Sequence, residues 1–215
     1  MRTLLSITIL LCALPMRAQS DAPRSTRTLF SNPADSITGG YFALSGGGTT
    51  LFGENAAFYG MRMGLGVGHR IAFGLAAQGL ANPFRNGFYN TYRAENDRSV
   101  PDDLAFRAGY GGIFVEPIIG DHRLVHVSFP ITIGAGGAGY GYRTNNGRYS
   151  RTVRTDAQAF FFVEPSVEVE LNVLPNVRLA VGGAYLLTTD IDLPATDKDI
   201  LRRPMLRVTL KAGQF

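Results

Sequence analysis

The chain has 215 residues, of which 45% are hydrophobic, with 21 basic against 17 acidic side chains and one cysteine. A net charge of +4 is too small to indicate a nucleic-acid partner, and a lone cysteine excludes an internal disulfide or a thiolate metal cage. The 26 glycines, 14 phenylalanines and 9 tyrosines suit either a secreted β-sandwich or a barrel in lipid, and periodicity has to decide.

In chain order, the first element is a targeting segment. Arg2 supplies a positive start, Leu4 to Leu14 form an apolar run, and Ala18 offers a small residue before a cut ahead of Gln19. The run is too short to span a bilayer as a helix, so residues 1–18 read as a cleaved signal peptide. Cys12 lies inside it behind Leu10-Leu11, without the small residue that a lipoprotein acylation site wants, so no lipid anchor is expected. Loss of Arg2 and Arg17 leaves 19 basic against 17 acidic side chains in the mature chain. Residues 19–37 read as a polar N-terminal periplasmic segment. No later apolar stretch reaches the about 18 uncharged residues of a helical span.

From residue 38 onward the pattern has period two. Tyr59, Met61, Met63, Leu65 and Val67 alternate with Gly60, Arg62, Gly64, Gly66 and Gly68. After Gly68-His69-Arg70 the alternation resumes with Ile71, Phe73 and Leu75 against Ala72, Gly74 and Ala76. Val125 to Ile133, Phe161 to Val173, Val177 to Leu187 and Leu206 to Ala212 repeat it. A soluble strand puts Thr, Lys, Ser and Glu on its solvent face and avoids glycine there. Here the second face is glycine, alanine and a few charges, as the inside of a narrow barrel requires, so the large residues face lipid.

Eight strands are predicted, at about 38–46, 56–67, 71–81, 104–119, 124–142, 158–173, 177–188 and 204–215. Tight joints at 68–70, 120–124 and 174–176 alternate with longer ones at 46–55, 82–103, 143–157 and 189–203, the pattern of short periplasmic turns and longer outer loops. Both chain ends then lie in the periplasm. The fold class is all-β: an eight-stranded antiparallel transmembrane β-barrel over 38–215. Strand 38–46 carries apolar residues on both parities. In 104–119 a bulge at Gly111-Gly112 is expected, because Leu104/Phe106 and Ile113/Val115 prefer opposite parities. Phe114-Val115-Glu116-Pro117 repeats as Phe162-Val163-Glu164-Pro165, and matching the second copy turns Glu116 inward.

The terminal Phe215 resembles the signal that outer-membrane barrel-assembly machinery recognises. Gly213 and Lys211 stand where such signals carry apolar residues, and a bulge near Gly213 would bring Phe215 into phase. The mature chain resembles the small outer-membrane barrel proteins of Bacteroidetes-type bacteria. The matching stretches are Thr28-Leu29-Phe30, Gly66-Val67-Gly68-His69, Leu124-Val125-His126, Phe162-Val163-Glu164-Pro165 and Leu210-Lys211-Ala212-Gly213-Gln214-Phe215. The resemblance implies the barrel and a place in the bacterial outer membrane, and brings no activity.

His126-Val127-Ser128 resembles the His-x-Ser pair of lipid A deacylases, with Ser128 as nucleophile and His126 as its base. Against this, Phe129 stands where those enzymes have Asn, and the strand order puts Ser128 near a periplasmic turn. No close-spaced set joins His69, His122 or His126 to acids, so neither a metal nor another cofactor is expected. The inward charges Arg62, Glu164, Glu168, Glu170, Arg178, Arg207 and Lys211 are expected to pair, the three acids with Arg178, Arg207 and Lys211. They plug the lumen unless they line a selective pore. The outer segment 143–157 carries Arg143, Arg148, Arg151 and Arg154 against Asp156. Segment 189–203 carries Asp190, Asp192, Asp197 and Asp199 before Arg202-Arg203. Pairing across these two loops is the plain expectation, and lipopolysaccharide contact by the arginines is the functional one. The favoured reading is a non-enzymatic, monomeric outer-membrane barrel with a structural or surface-interaction role, in contact with outer-membrane lipid. A lipid-modifying enzyme of the deacylase type and a small-solute pore remain open.

Overall fold

A computed structural model describes residues 37–81, 84–96, 104–120, 122–145 and 150–215. Residues 1–18, the segment up to residue 36 and Arg148 lie outside these, as do the side chains of Arg143, Arg151 and Arg154.

The strands are β1 (Ile37–Leu51), β2 (Glu54–Val67), β3 (Ile71–Leu80), β4 (Phe84–Arg85), β5 (Ala105–Ile119), β6 (Val125–Ser128), β7 (Ile131–Asn145), β8 (Ser150–Leu174), β9 (Val177–Tyr185), β10 (Leu187–Thr188) and β11 (Pro204–Gly213). One helix, α1 (Gly87–Asn96), lies between β4 and β5. Every pairing is antiparallel, and β1 pairs with both β2 and β11, which closes the sheet on itself. Counted around the ring, the strands make eight staves, with β6 and β7 as one, β9 and β10 as another, and β3 and β4 as a third. The first of these breaks falls at Phe129-Pro130, where proline lacks an N–H. The wall continues through it, because Phe129 N donates to the Pro117 carbonyl at 2.9 Å and Ser166 N to the Pro130 carbonyl at 2.8 Å.

The faces are inverted relative to a soluble protein. On β2, Tyr59, Met61, Met63 and Leu65 are exposed, while Phe58, Arg62 and Gly64 are buried. The inward glycines make room for rings, since a Cβ on Gly64 would come within 2.8 Å of Tyr41 and 3.0 Å of Phe114. On β1 the two-sided apolar pattern resolves with Tyr41 and Ala43 inward and Phe42 and Leu44 outward.

Four expectations are corrected. Residues 46–55 are not a long loop. The strands run to Leu51 and from Glu54, joined by Phe52 and Gly53 at φ 51° and 77°, the left-handed pair that a two-residue hairpin needs. No register shift marks Gly111-Gly112, because Phe106 and Tyr110 face inward with Phe114 and Glu116 on one unbroken parity. No bulge forms at Gly213 either. It pairs with Tyr41, and Phe215 stays on the inward side, its ring centroid 5.7 Å from that of Tyr41. Much of 143–157 is strand, β7 and β8 pairing as far as Asn145 and Ser150.

Candidate functional site

The barrel's interior is its most distinctive chemistry. Eight staves leave little more than room for side chains, and here the space near the short turns at 68–70, 120–124 and 174–176 holds ions. Arg62, Arg178, Arg207 and Lys211 are buried there with Glu116, Glu164, Glu168 and Glu170, four charges of each sign. Arg62 donates to both carboxylate oxygens of Glu168, at 2.6 and 2.8 Å, reaching across the lumen from β2 to β8. Arg207 meets Glu164 at 2.6 Å, and Glu164 also accepts from Gln78 at 2.8 Å and Tyr110 at 2.7 Å. Lys211 donates to Glu116 and, at 2.6 Å, to Glu170, with Glu168 at 3.5 Å. Tyr41 donates to Glu116. Arg178 lies 3.9 Å from Glu170 and equally far from the centroid of the Phe215 ring.

The seven inward charges read from the sequence are therefore brought together, the three acids meeting Arg178, Arg207 and Lys211, with Arg62 joining them. Glu168 takes Arg62 as well as Lys211, and Arg207 takes Glu164. Glu116, Tyr41, Tyr110 and Gln78 are additions. The only signal for Glu116 was the repeated Phe-Val-Glu-Pro.

Glu116, Glu168 and Glu170 present oxygens within 4.8 Å of one another, close enough to resemble a metal cage. The Lys211 ammonium stands among them, in the place a metal would take. His126 and Ser128 are buried and face the same lumen. The His126 Nε2 lies 3.2 Å from Glu170, and Arg178 lies 3.4 Å from that same nitrogen. His126 is thus engaged by the ion network, and Ser128 sits inside the wall rather than on its lipid face. His69 and His122 are elsewhere, on adjacent turns with ring centroids 5.9 Å apart.

Toward the loops the lumen is filled by rings. Phe58, Phe106, Tyr110, Phe160 and Phe162 pack together, with Tyr89 of α1 stacked on Tyr140 at 3.5 Å and 7°. Asn86 caps α1, accepting from Tyr89 N at 3.4 Å and donating to the Tyr140 hydroxyl at 2.8 Å. Burial, then the Asp156 carboxylate it donates to, raises the Tyr89 phenol above its ordinary pKa. From 189–203, Ile191, Leu193, Ile200 and Leu201 close over this cluster. Two acids of that loop pair locally, Asp190 with Arg202 and Asp192 with Lys198 at 3.7 Å, while Asp156 lies 3.9 Å from Arg93. The pairing expected across the loops falls on Arg143, Arg148, Arg151 and Arg154, whose side chains lie outside the described ones.

No family model matches the chain, and no curated protein matches it in sequence. Among solved structures, Neisserial surface protein A is 12% identical with a TM-score of 0.49, over 82% of this chain and 95% of that one. The attachment invasion locus protein Ail of Yersinia pestis, solved with the heparin analogue sucrose octasulfate, is 9% identical with a TM-score of 0.45, over 81% and 95%. The N-terminal β-barrel domain of Pseudomonas aeruginosa OprF is 8% identical with a TM-score of 0.44, over 80% and 96%. What defines the fold is the chain's own geometry: a ring with no free edge, large apolar side chains outside and charges inside. It is an eight-stranded transmembrane β-barrel of the outer-membrane type.

Proposed function

We propose that this chain works as an integral outer-membrane protein with a closed lumen, in a structural or surface-interaction role rather than a catalytic one. The observation that carries the proposal is the balance of the interior. Four cations face four carboxylates, each with a partner, beneath a cap of packed rings. A conducting pore needs a continuous wet path and usually a net charge on its lining, and this lumen offers neither among its described residues. Kinship with the small Bacteroidetes-type barrel proteins belongs to the same proposal, on the ordered motifs from Thr28 to Phe215. So do a monomeric state and lipopolysaccharide contact by Arg143, Arg148, Arg151 and Arg154. Phe215 as an assembly signal is also proposed. Its ring is turned inward against Tyr41 and Arg178, so it would be read before the barrel closes and half-buried afterwards. The deacylase reading gains no support from His126, which meets Glu170 inside the lumen.

Purified protein in a planar bilayer should show no sustained conductance, and deletion of the gene should leave the lipid A profile unchanged. Steady current whose ion selectivity shifts in Arg207→Met, without loss of stability, would make it a pore. A lost lipid A modification would make it an enzyme.

A further inference from the structure

We propose that the outer wall of the barrel carries a lateral groove for a phosphorylated, multiply acylated glycolipid of the outer leaflet, with Arg107 as its anion-binding residue. The proposal rests on the outer-membrane reading above and adds a ligand class and a place.

Among the described side chains on the outward parity of the strands, Arg107, exposed on β5, is the one charge. Around it the wall is hollow. A groove of about 900 Å³ opens there, flanked by Tyr59 and Met61 of β2. One rung of its floor is Gly79, Gly109, Gly137 and Ala159, paired in sequence across β3, β5, β7 and β8. The next rung sets Arg107 beside Gly139 and Ala157. Two rungs below the glycine row, toward the turns, Leu75, Ile113, Ile133 and Val163 restore the large side chains found on the other staves.

Close packing demands glycine at Gly139, where a Cβ would meet the Asp156 carbonyl at 2.3 Å, but not at the centre of the floor. A Cβ on Gly109 would find its nearest neighbour at 3.5 Å and one on Gly137 at 3.8 Å, ordinary contact distances. Neither glycine has a left-handed backbone. Glycine weakens a strand, so a glycine floor facing hydrocarbon is space kept for an occupant.

Arg107 sits two residues from the loop end of β5, on the outer-leaflet side. A guanidinium against hydrocarbon is costly unless an anion meets it, and its fork matches phosphate with two parallel bonds. The volume lies at the upper end of small-molecule sites, which suits several acyl chains over a floor four strands wide. A second copy of the chain fits less well, since no acid stands on the outward parity of any described strand to meet Arg107.

The test takes the purified, folded barrel in discs of zwitterionic phospholipid doped with bisphosphorylated lipid A, and reads retained lipid by native mass spectrometry. Wild type should retain lipid A in preference to its dephosphorylated form and to phosphatidylglycerol. Arg107→Gln should weaken retention about tenfold or more, the scale of one charged hydrogen-bonding partner, and erase the phosphate preference. Gly137→Leu should weaken both lipid A forms alike. Equal retention of phosphatidylglycerol, indifference to all three lipids, or a dimer that Gly137→Leu dissolves would each overturn the groove. A wild-type chain that never yields a heat-modifiable folded band in bilayers would instead overturn the outer-membrane reading itself.

Discussion

Toward the short turns the lumen holds four cations and four carboxylates, while toward the longer loops it holds stacked and edge-on rings. The two halves solve the same filling problem under different constraints. In the charged half, Arg62 of β2 meets Glu168 of β8, and Lys211 of β11 meets Glu116 of β5, pairs of staves that are not neighbours. Such bonds fix which walls face each other, and a carboxylate left without its cation is heavily penalised. In the aromatic half, volume matters more than identity. The closure there includes parts outside the ring, namely α1 and the segment 189–203.

This comparison orders the expected losses. Lys211→Met removes the cation shared by Glu116 and Glu170 and should cost about 3–5 kcal/mol, read as a fall in the temperature at which the folded gel band is lost. Adding Glu116→Gln should recover part of it. A drop no larger than that of an outward Leu210→Ala would erase the distinction between the halves. Arg207→Met should cost less, about 3 kcal/mol, because Tyr110 and Gln78 still donate to Glu164. Glu164→Gln should rescue it, whereas Glu168→Gln should not, since Glu168 answers to Arg62 and Lys211.

In the other half, Tyr140→Phe keeps the stacked ring and removes the bonds to Asn86 and Thr196. About 1–2 kcal/mol should be lost locally. Limited proteolysis within 189–203 should quicken while the gel-band temperature stays put, and a fall in both would mean that the two halves melt together. Arg202→Ala breaks a solvent-facing pair with Asp190 and should cost under about 1 kcal/mol. Denaturant midpoints would show a larger figure if the loop helped to clamp the ring.

The same division explains what the sequence disclosed. Alternation on β2, β8, β9 and β11 was legible because large outward residues there oppose glycine, alanine or charge. β5 misled because that contrast disappears in the aromatic half, where Phe106 and Tyr110 are large and inward. A bulge was expected where the lumen simply changes character. Glu116, turned inward only by the repeated Phe-Val-Glu-Pro, stayed outside the set of inward charges for the same reason. On β1, Tyr41 and Phe42 look equivalent, and what separates them is the Glu116 carboxylate that only a phenol can meet. Gly46-Gly47-Gly48-Thr49-Thr50 has a loop's composition, yet it is strand because β2 and β11 flank it on both sides. α1 has residues of modest helix propensity and buries Tyr89 deeply, so its existence depends on Asn86 and the ring of Tyr140 rather than on periodicity. The groove at Arg107 went unread for a related reason, since its shape comes from four strands distant in sequence.

The inverted faces of the barrel are tested most directly by spin labels on single cysteines placed in turn at 59 through 65 on β2, in a Cys12→Ala background. In reconstituted bilayers, labels at 59, 61, 63 and 65 should relax with lipid-soluble oxygen and ignore a water-soluble nickel chelate, and labels at 60, 62 and 64 should respond to neither. Strong chelate relaxation at 61, 63 and 65 would mean that these large apolar residues do not face lipid, and would contradict the transmembrane barrel.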